Sequence, residues 1–376
     1  MTSSPPSSAL VLGAGPSGLA VAACLKREGV SFTQIDRASI VGSRWHEHYD
    51  RLHLHTMREL SSLPGYAMPS DWPRYVPRAK FAEYLGRYAA HHGLAPRLGV
   101  TAHRATRAGG RWSVETSEGT LEAAHLVVAT GYNHTAKMPD LAGRETFTGE
   151  VLHSRAYKNG KPHRGKRVLV VGAGNSGAEI ALDLWEHGAH AAISIRGPIH
   201  VTPRDMLGVP TQATAQIMAK LPPRLADVIT LRILSKVVGD LSKWGIRRPE
   251  IGPISQVVKL GRIPLIDVGT IDLVKQGKIV VYPDIESLDA TGVRFVDGRR
   301  SDFDAIVLAT GYSAALDRLF GDASAFTDER GYPREHAKET GPGGLWFVGY
   351  RNPLTGALHD IAREGDRVAR GIAAAG

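Results

Sequence analysis

Cysteine is almost missing from these 376 residues; Cys24 stands alone. An intramolecular disulfide, a cysteine-based zinc site and dithiol redox chemistry are therefore excluded, and a lone thiol suits a reducing compartment such as the cytoplasm. Long apolar runs are missing too. No eighteen apolar residues follow one another without interruption, so no transmembrane segment is expected. The uncharged first 25 residues lack a basic opening, and Gly13, Gly15, Pro16 and Gly18 break their apolar part, which argues against a signal peptide. Although the net charge is +9, the chain has no block of five or six like charges, no zinc-finger spacing and no basic helical stripe. Nucleic acid is therefore not an expected partner, and anionic small molecules are. No catalytic triad, carboxylate pair or metal-ligating cluster is found either, so no metal is expected.

What remains is globular. Hydrophobic residues make up 43% and charged residues 22% of the chain, ordinary values, and the length allows two or three domains. Only glycine is over-used, with 42 residues, and many of them mark ordered turns.

The first such turn follows the apolar stretch Ala9 to Leu12. Gly13-Ala14-Gly15-Pro16-Ser17-Gly18 leads into a helix expected from Leu19 to Glu28. In a G-x-G-x-x-G turn the first glycine makes the bend, the second lets backbone approach a pyrophosphate, and the third lets helix pack on strand. The next strand ends at Asp36, 23 residues after Gly13. A carboxylate there accepts hydrogen bonds from a ribose diol and repels a 2′-phosphate, so this loop is read as a site for FAD or NAD, with Pro16 and Ser17 inside it. The pattern repeats. Arg167 to Val171 leads into Gly172-Ala173-Gly174-Asn175-Ser176-Gly177, and the strand after the second helix ends at Arg196, 24 residues after Gly172. The reversed sign suits the 2′-phosphate of NADPH; Arg204 is an alternative cation.

A third repeat pairs Leu126 to Tyr132 with Ile306 to Tyr312, each an apolar strand closed by Ala-Thr-Gly-Tyr. Thr130, Gly131, Thr310, Gly311 and Tyr312 are expected where backbone nears a ligand. The fold class is thus α/β, with two Rossmann-like, doubly wound dinucleotide-binding domains, the NADPH domain inserted in the FAD domain. The expected boundaries are 1–160 and 301–376 for the FAD domain and 161–300 for the NADPH domain. A helical insert is expected over about 206–245, where apolar residues at helical spacing are split by Pro222-Pro223. A plain packed insert is the favoured reading, with a lid, a tunnel wall or a shallow membrane contact as alternatives; peripheral membrane contact is not expected.

Two dinucleotide sites without a dithiol leave oxygen, a quinone, a partner protein or a metal centre as electron acceptor. Phe147, Gly149, His153 and Tyr157 fit F-x-G-x-x-x-H-x-x-x-Y, and here the chain resembles the flavin-containing monooxygenases. The Tyr157-Lys158 ending departs from the Baeyer–Villiger class. Within the family it is most similar to the plant YUCCA-type enzymes and their bacterial relatives, through Tyr49 to His55, Pro69 to Tyr75, His200 to Arg204, Arg247 to Pro253 and Gly356 to Asp360. The resemblance implies FAD, NADPH and O2, a flavin C4a-hydroperoxide, and oxygenation of a small organic substrate. Oxidative decarboxylation of an aryl 2-oxo acid such as indole-3-pyruvate is preferred. N- or S-oxygenation, or a flavin reductase feeding a partner, are the alternatives. It adds Arg37, Trp45, His53, Gly349, Gly356 and Ala357 as cofactor contacts and leaves a homodimer open. His55 and Asn175 are the catalytic candidates: His55 stands where animal members carry asparagine and YUCCA-type enzymes carry histidine, and Asn175 is read as positioning NADP+. His153 is read as structural, and Trp45 as either a flavin neighbour or a core residue.

Overall fold

Strands with no polar face must be covered on both sides, which favours parallel sheets clad in helices. Ala9–Leu12 and Arg167–Val171 are such strands. In the computed structural model, which describes residues 8–206, 208–341 and 343–375, each is the middle strand of its own five-stranded sheet. The first sheet runs Leu345–Phe347, His125–Val128, Ala9–Leu12, Phe32–Asp36, Arg97–Leu98. The second runs Val280–Tyr282, His190–Ser194, Arg167–Val171, Ala305–Leu308, Glu150–His153. All neighbours in both are parallel. Each glycine-loop strand lies between the strand that leads to the charged residue, Asp36 or Arg196, and the strand that leads into Ala-Thr-Gly-Tyr.

These pairings move the expected boundaries. Ala305–Leu308 bonds to Arg167–Val171 and Glu150–His153 bonds to Ala305–Leu308, so the second unit takes chain from about 150 to about 311 rather than 161–300. The physical reason is symmetry. In each unit a three-stranded antiparallel meander immediately precedes the Thr-Gly strand (Ala102–Ala108, Arg111–Thr116, Gly119–Ala123 in the first; Ile285–Leu288, Gly292–Phe295, Arg300–Asp302 in the second). Each unit therefore owns one complete copy. Where the chain passes between units, Thr135–Ala136 pairs antiparallel with Tyr312–Ser313, so the two crossings run side by side.

The two glycine-loop helices are Pro16–Arg27 and Asn175–Glu186, and the first starts three residues before the expected Leu19. Pro16 at the first helical position costs nothing, because that N–H has no helical partner. The insert forms two helices divided at Pro222-Pro223, Thr211–Met218 and Pro223–Val237. A third, Pro253–Leu260, packs on Pro223–Val237. Its first-turn donors are taken by buried Asp227, whose carboxylate accepts from the Ile254 and Ser255 N–H groups at 2.8 and 3.1 Å. Cys24 is buried on the first helix, and burial pushes its thiol up to about 11, which leaves it unreactive. Among the described residues no helix is long and apolar enough to cross a membrane.

Candidate functional site

The glycines of the two loops divide into those that pack and those that face space. A Cβ on Gly18 would stand 1.9 Å from the Gly13 carbonyl oxygen, and one on Gly177 would stand 1.9 Å from that of Gly172. Gly13 and Gly172, at φ +113° and +102°, bring their loops against the Ala129 and Ala309 carbonyls. A Cβ on Gly15 or Gly174 would meet nothing within 4 Å. Those two positions are open where a pyrophosphate would rest on the helix N-terminus, so both cradles fit a dinucleotide. Asp36 holds the first cradle in shape: its carboxylate accepts from Ala14 N at 2.6 Å and Ala38 N at 2.8 Å. Each oxygen keeps a lone pair for a ribose hydroxyl. Arg37, next to it, is exposed.

At the second cradle, Arg196 follows the end of His190–Ser194, exposed and without a hydrogen bond or ion pair among the described residues. A free guanidinium at that strand end meets a 2′-phosphate without first breaking another contact. Arg196→Ser is expected to raise the apparent NADPH constant by roughly 10- to 100-fold and to leave NADH nearly unchanged. Equal losses for both coenzymes would remove this role.

One cavity of about 560 Å³ joins the first cradle to the insert. Gly13, Gly15, Pro16, Ser17, Asp36, Trp45, Thr130, Gly131, Gly349, Gly356 and Ala357 line one end, and His55 and Asn175 also reach it. The far end is walled by the insert: Ala215, Ile217, Met218, Ile233, Ile254 and Val257. The insert is therefore a cavity wall, as well as being packed through buried Ala226 and Leu234. Gly18 packs beneath the loop, and His53 is set back from the cavity with Nδ1 2.6 Å from the Arg51 carbonyl. Trp45 serves in both of the ways considered, packing edge-on against Phe81 at 4.3 Å while lining the cavity. The helix Ala357–Ala375 opens on the cavity with its N-terminus, the positive end of its dipole.

The helix Asn175–Glu186 is where the units grip each other. Buried Tyr49 shares a hydrogen bond with Ser176, and Arg51 pairs with Glu186. Between them His55 Nε2 stands 2.8 Å from Oε1 of Glu179, a carboxylate that is only 4% exposed. The contact lies off the axis of the ring N–H, so it is close without being an aligned hydrogen bond, and Glu179 Oε1 has no other hydrogen-bond partner among the described residues. His55 Nδ1 is buried with no protein partner. Asn175 spends its Oδ1 on the Ile266 N–H at 2.8 Å, which leaves its amide Nδ2 donors for the cavity.

The F-x-G-x-x-x-H-x-x-x-Y residues form a strut away from this cavity. His153 donates from Nε2 to the Gly311 carbonyl and accepts from Arg155 N at Nδ1, and burial holds its imidazole below the usual range. Tyr157 donates to buried Asp183 at 2.6 Å. Tyr312 packs edge-on against His153, while Thr310 donates to the Lys137 carbonyl, so Thr310, Gly311 and Tyr312 close the second sheet outside the cavity.

Glu179, Gln212 and Glu364 escaped the sequence reading. The signal for Glu179 was an acid on the apolar face of a helix, a position that demands a partner. Gln212 ties the insert to the first unit through Met57 N and the Thr355 carbonyl. Glu364, buried on the last helix, accepts from Gly349 N at 2.7 Å, yet burial pushes its carboxyl up to about 7. A carboxyl raised on folding adds stability that is complete below its ordinary pKa and is lost as pH rises through the folded value. Glu364→Gln is therefore expected to melt with wild type near pH 5 and above it at pH 8, by on the order of 2–3 kcal/mol. Superimposable melts at pH 8 would contradict this.

A family model described as flavin-binding monooxygenase-like matches residues 8–326. The indole-3-pyruvate monooxygenase YUCCA1 of Oryza sativa subsp. japonica is 40% identical over 349 residues, 91% of this chain and 86% of its own. The probable indole-3-pyruvate monooxygenase YUCCA3 of Arabidopsis thaliana is 39% identical over 376 residues, 94% of this chain and 86% of its own. A flavin-containing monooxygenase from Stenotrophomonas maltophilia shares the fold with a TM-score of 0.76 over 99% of both chains, at 22% identity.

Proposed function

Since this chain belongs to the flavin-binding monooxygenase-like family and is a monooxygenase using FAD, NADPH and O2, we propose that its substrate is an aryl 2-oxo acid such as indole-3-pyruvate. One oxygen atom enters the arylacetic acid formed, the other leaves as water, carbon dioxide is released, and NADPH supplies the two electrons. The observation that carries this reading is the single cavity in which the flavin cradle, His55 and an apolar end lie in succession. The named YUCCA relatives act on indole-3-pyruvate.

The bound flavin supplies hydride acceptance from nicotinamide and activation of dioxygen. The protein's part is holding and shielding. In this reading the unit built on residues 8–149 and 312–375 holds FAD, through Gly15, Ser17 and Asp36. The unit of 150–311 holds NADPH, through Gly174, Ser176 and Arg196. Asn175 directs its free amide N–H groups at the nicotinamide side. His55, which lines the cavity beside Glu179 of the other unit, is assigned to the stabilisation of negative charge developing on oxygen. The apolar insert keeps water from the reacting atoms.

Purified enzyme given NADPH, ¹⁸O₂ and indole-3-pyruvate is expected to release CO2 and to place one labelled atom in indole-3-acetate. Sulfoxide from a thioether, with no CO2 from the oxo acid, would overturn the substrate. NADPH oxidation by artificial acceptors without label incorporation would mean a reductase. We also place the enzyme in the cytosol, where a single buried thiol is at home; recovery in the membrane pellet on fractionation would oppose that.

A further inference from the structure

Among the described residues two arginines line the cavity. Arg44 lies at the flavin end beside Gly42 and Ser43 and is paired with Glu47 at 2.6 Å, whereas Arg204 stands among Thr202, Met206 and Thr211 where the second unit passes into the insert. Its backbone is fixed on both sides: Arg204 N donates to the Asp267 carbonyl, and its own carbonyl accepts from Thr211 N, each at 2.9 Å. Its side chain is fixed as well. The guanidinium lies 4.0 Å from the centre of the Tyr75 ring, Nε is 3.4 Å from Asp205 Oδ2, and Tyr75 Oη donates to Asp205 Oδ1 at 2.7 Å.

This arrangement spends one face and one N–H of the guanidinium and leaves the rest. Neither Nη nitrogen has an acceptor among the described residues. An arginine with its plane set by an aromatic ring and its paired Nη donors free is pre-organised for a two-point contact with a planar anion. A carboxylate matches that fork. Arg196 already serves the coenzyme phosphate from outside the cavity, so Arg204 is left for something inside it.

We propose that Arg204 forms a carboxylate subsite in the substrate cavity, taking the carboxylate of an aryl acid while the aryl ring lies against the insert. The proposal rests on the aryl 2-oxo acid reading and deepens it by assigning the group that recognises the acid. Tyr75 and Asp205 are positioning residues for it.

The test is equilibrium binding to the flavin-loaded enzyme, followed by calorimetry and by the visible flavin spectrum. The probes are indole-3-acetate, which has no 2-oxo group to react, and its neutral analogue indole-3-acetamide. Wild type is expected to prefer the acid. Arg204→Gln is expected to weaken the acid by about 10- to 100-fold, leaving the amide within about twofold and NADPH affinity unchanged. Arg204→Lys, which keeps the charge but not the fork, recovers part of the loss. Unchanged acid affinity in Arg204→Gln would overturn the subsite, as would equal loss for acid and amide, failure of wild type to prefer the acid, or loss appearing in NADPH affinity instead. Failure of the substrate reading looks different: no CO2 from indole-3-pyruvate, yet acid preference that still depends on Arg204.

Discussion

Gly18→Ala is expected to yield a colourless, destabilised protein. The added methyl would sit 1.9 Å from one backbone oxygen and 2.8 Å from the carbon that bears it. Gly13 is pinned at the end of the central strand by its N–H bond to the Ile35 carbonyl at 2.8 Å and cannot swing aside as a side-chain tip can, so helix and strand must separate. Overpacking of this kind costs about 1–3 kcal/mol or more, and the loop proposed to hold the flavin moves with it. Gly15→Ala is the control that separates packing from binding. Nothing lies within 4 Å of its Cβ, so its flavin-free form is expected to melt with wild type while flavin affinity falls. Gly177→Ala and Gly174→Ala should divide in the same way for NADPH. Melting of the apo-proteins and cofactor titrations read both effects. Full flavin affinity in Gly15→Ala would show that the first cradle does not hold the pyrophosphate.

His55→Ala is expected to lower kcat by about 10²-fold, the usual cost of one donor aimed at developing negative charge, with little change in the NADPH constant. Glu179→Gln keeps the size and the acceptor oxygen but removes the charge facing the imidazole, and should lose about 10-fold by the same reasoning. Because Glu179 belongs to one unit and His55 to the other, the pair should be strongly non-additive: the double variant should be hardly worse than His55→Ala. Steady-state kinetics with a double-mutant cycle measures this. A kcat for His55→Ala within twofold of wild type would remove the histidine from the chemistry.

Why some of this was legible and some was not follows from where the information lies. Gly13, Gly18, Gly172 and Gly177 answer to contacts within a few residues or with the adjacent strand, and local contacts leave a local pattern. Asp36 and Arg196 stand at strand ends whose position follows from the same loop. Pro222-Pro223 announces a helix break by backbone chemistry alone. The boundary at 301 was misplaced because Ile306 to Tyr312 so closely resembles Leu126 to Tyr132; only the hydrogen-bonding neighbour tells the copies apart, and that neighbour lies more than a hundred residues away in sequence. The same likeness made Thr310 and Tyr312 look equivalent to Thr130 and Tyr132, though only the latter reach the cavity. Glu179 and His55 meet across 124 residues through a docking of two units, and the guanidinium of Arg204 owes its orientation to Tyr75, equally remote. Such pairings exist only in three dimensions.

The side-by-side crossings at Thr135–Ala136 and Tyr312–Ser313 also bear on the order in which the molecule is made. Every strand of the second sheet has been synthesised once Leu308 emerges, whereas the first sheet waits for Leu345–Phe347 and for the helix Ala357–Ala375, whose Gly365 packs on Ala20. On the ribosome the later-begun unit can therefore close while the earlier-begun one is still open, against the usual N-to-C sequence. The seat proposed for the flavin is finished only after residues 345–375 have followed, so a nascent chain stalled near residue 340 is expected to bind nicotinamide nucleotide while remaining unable to retain the yellow pigment.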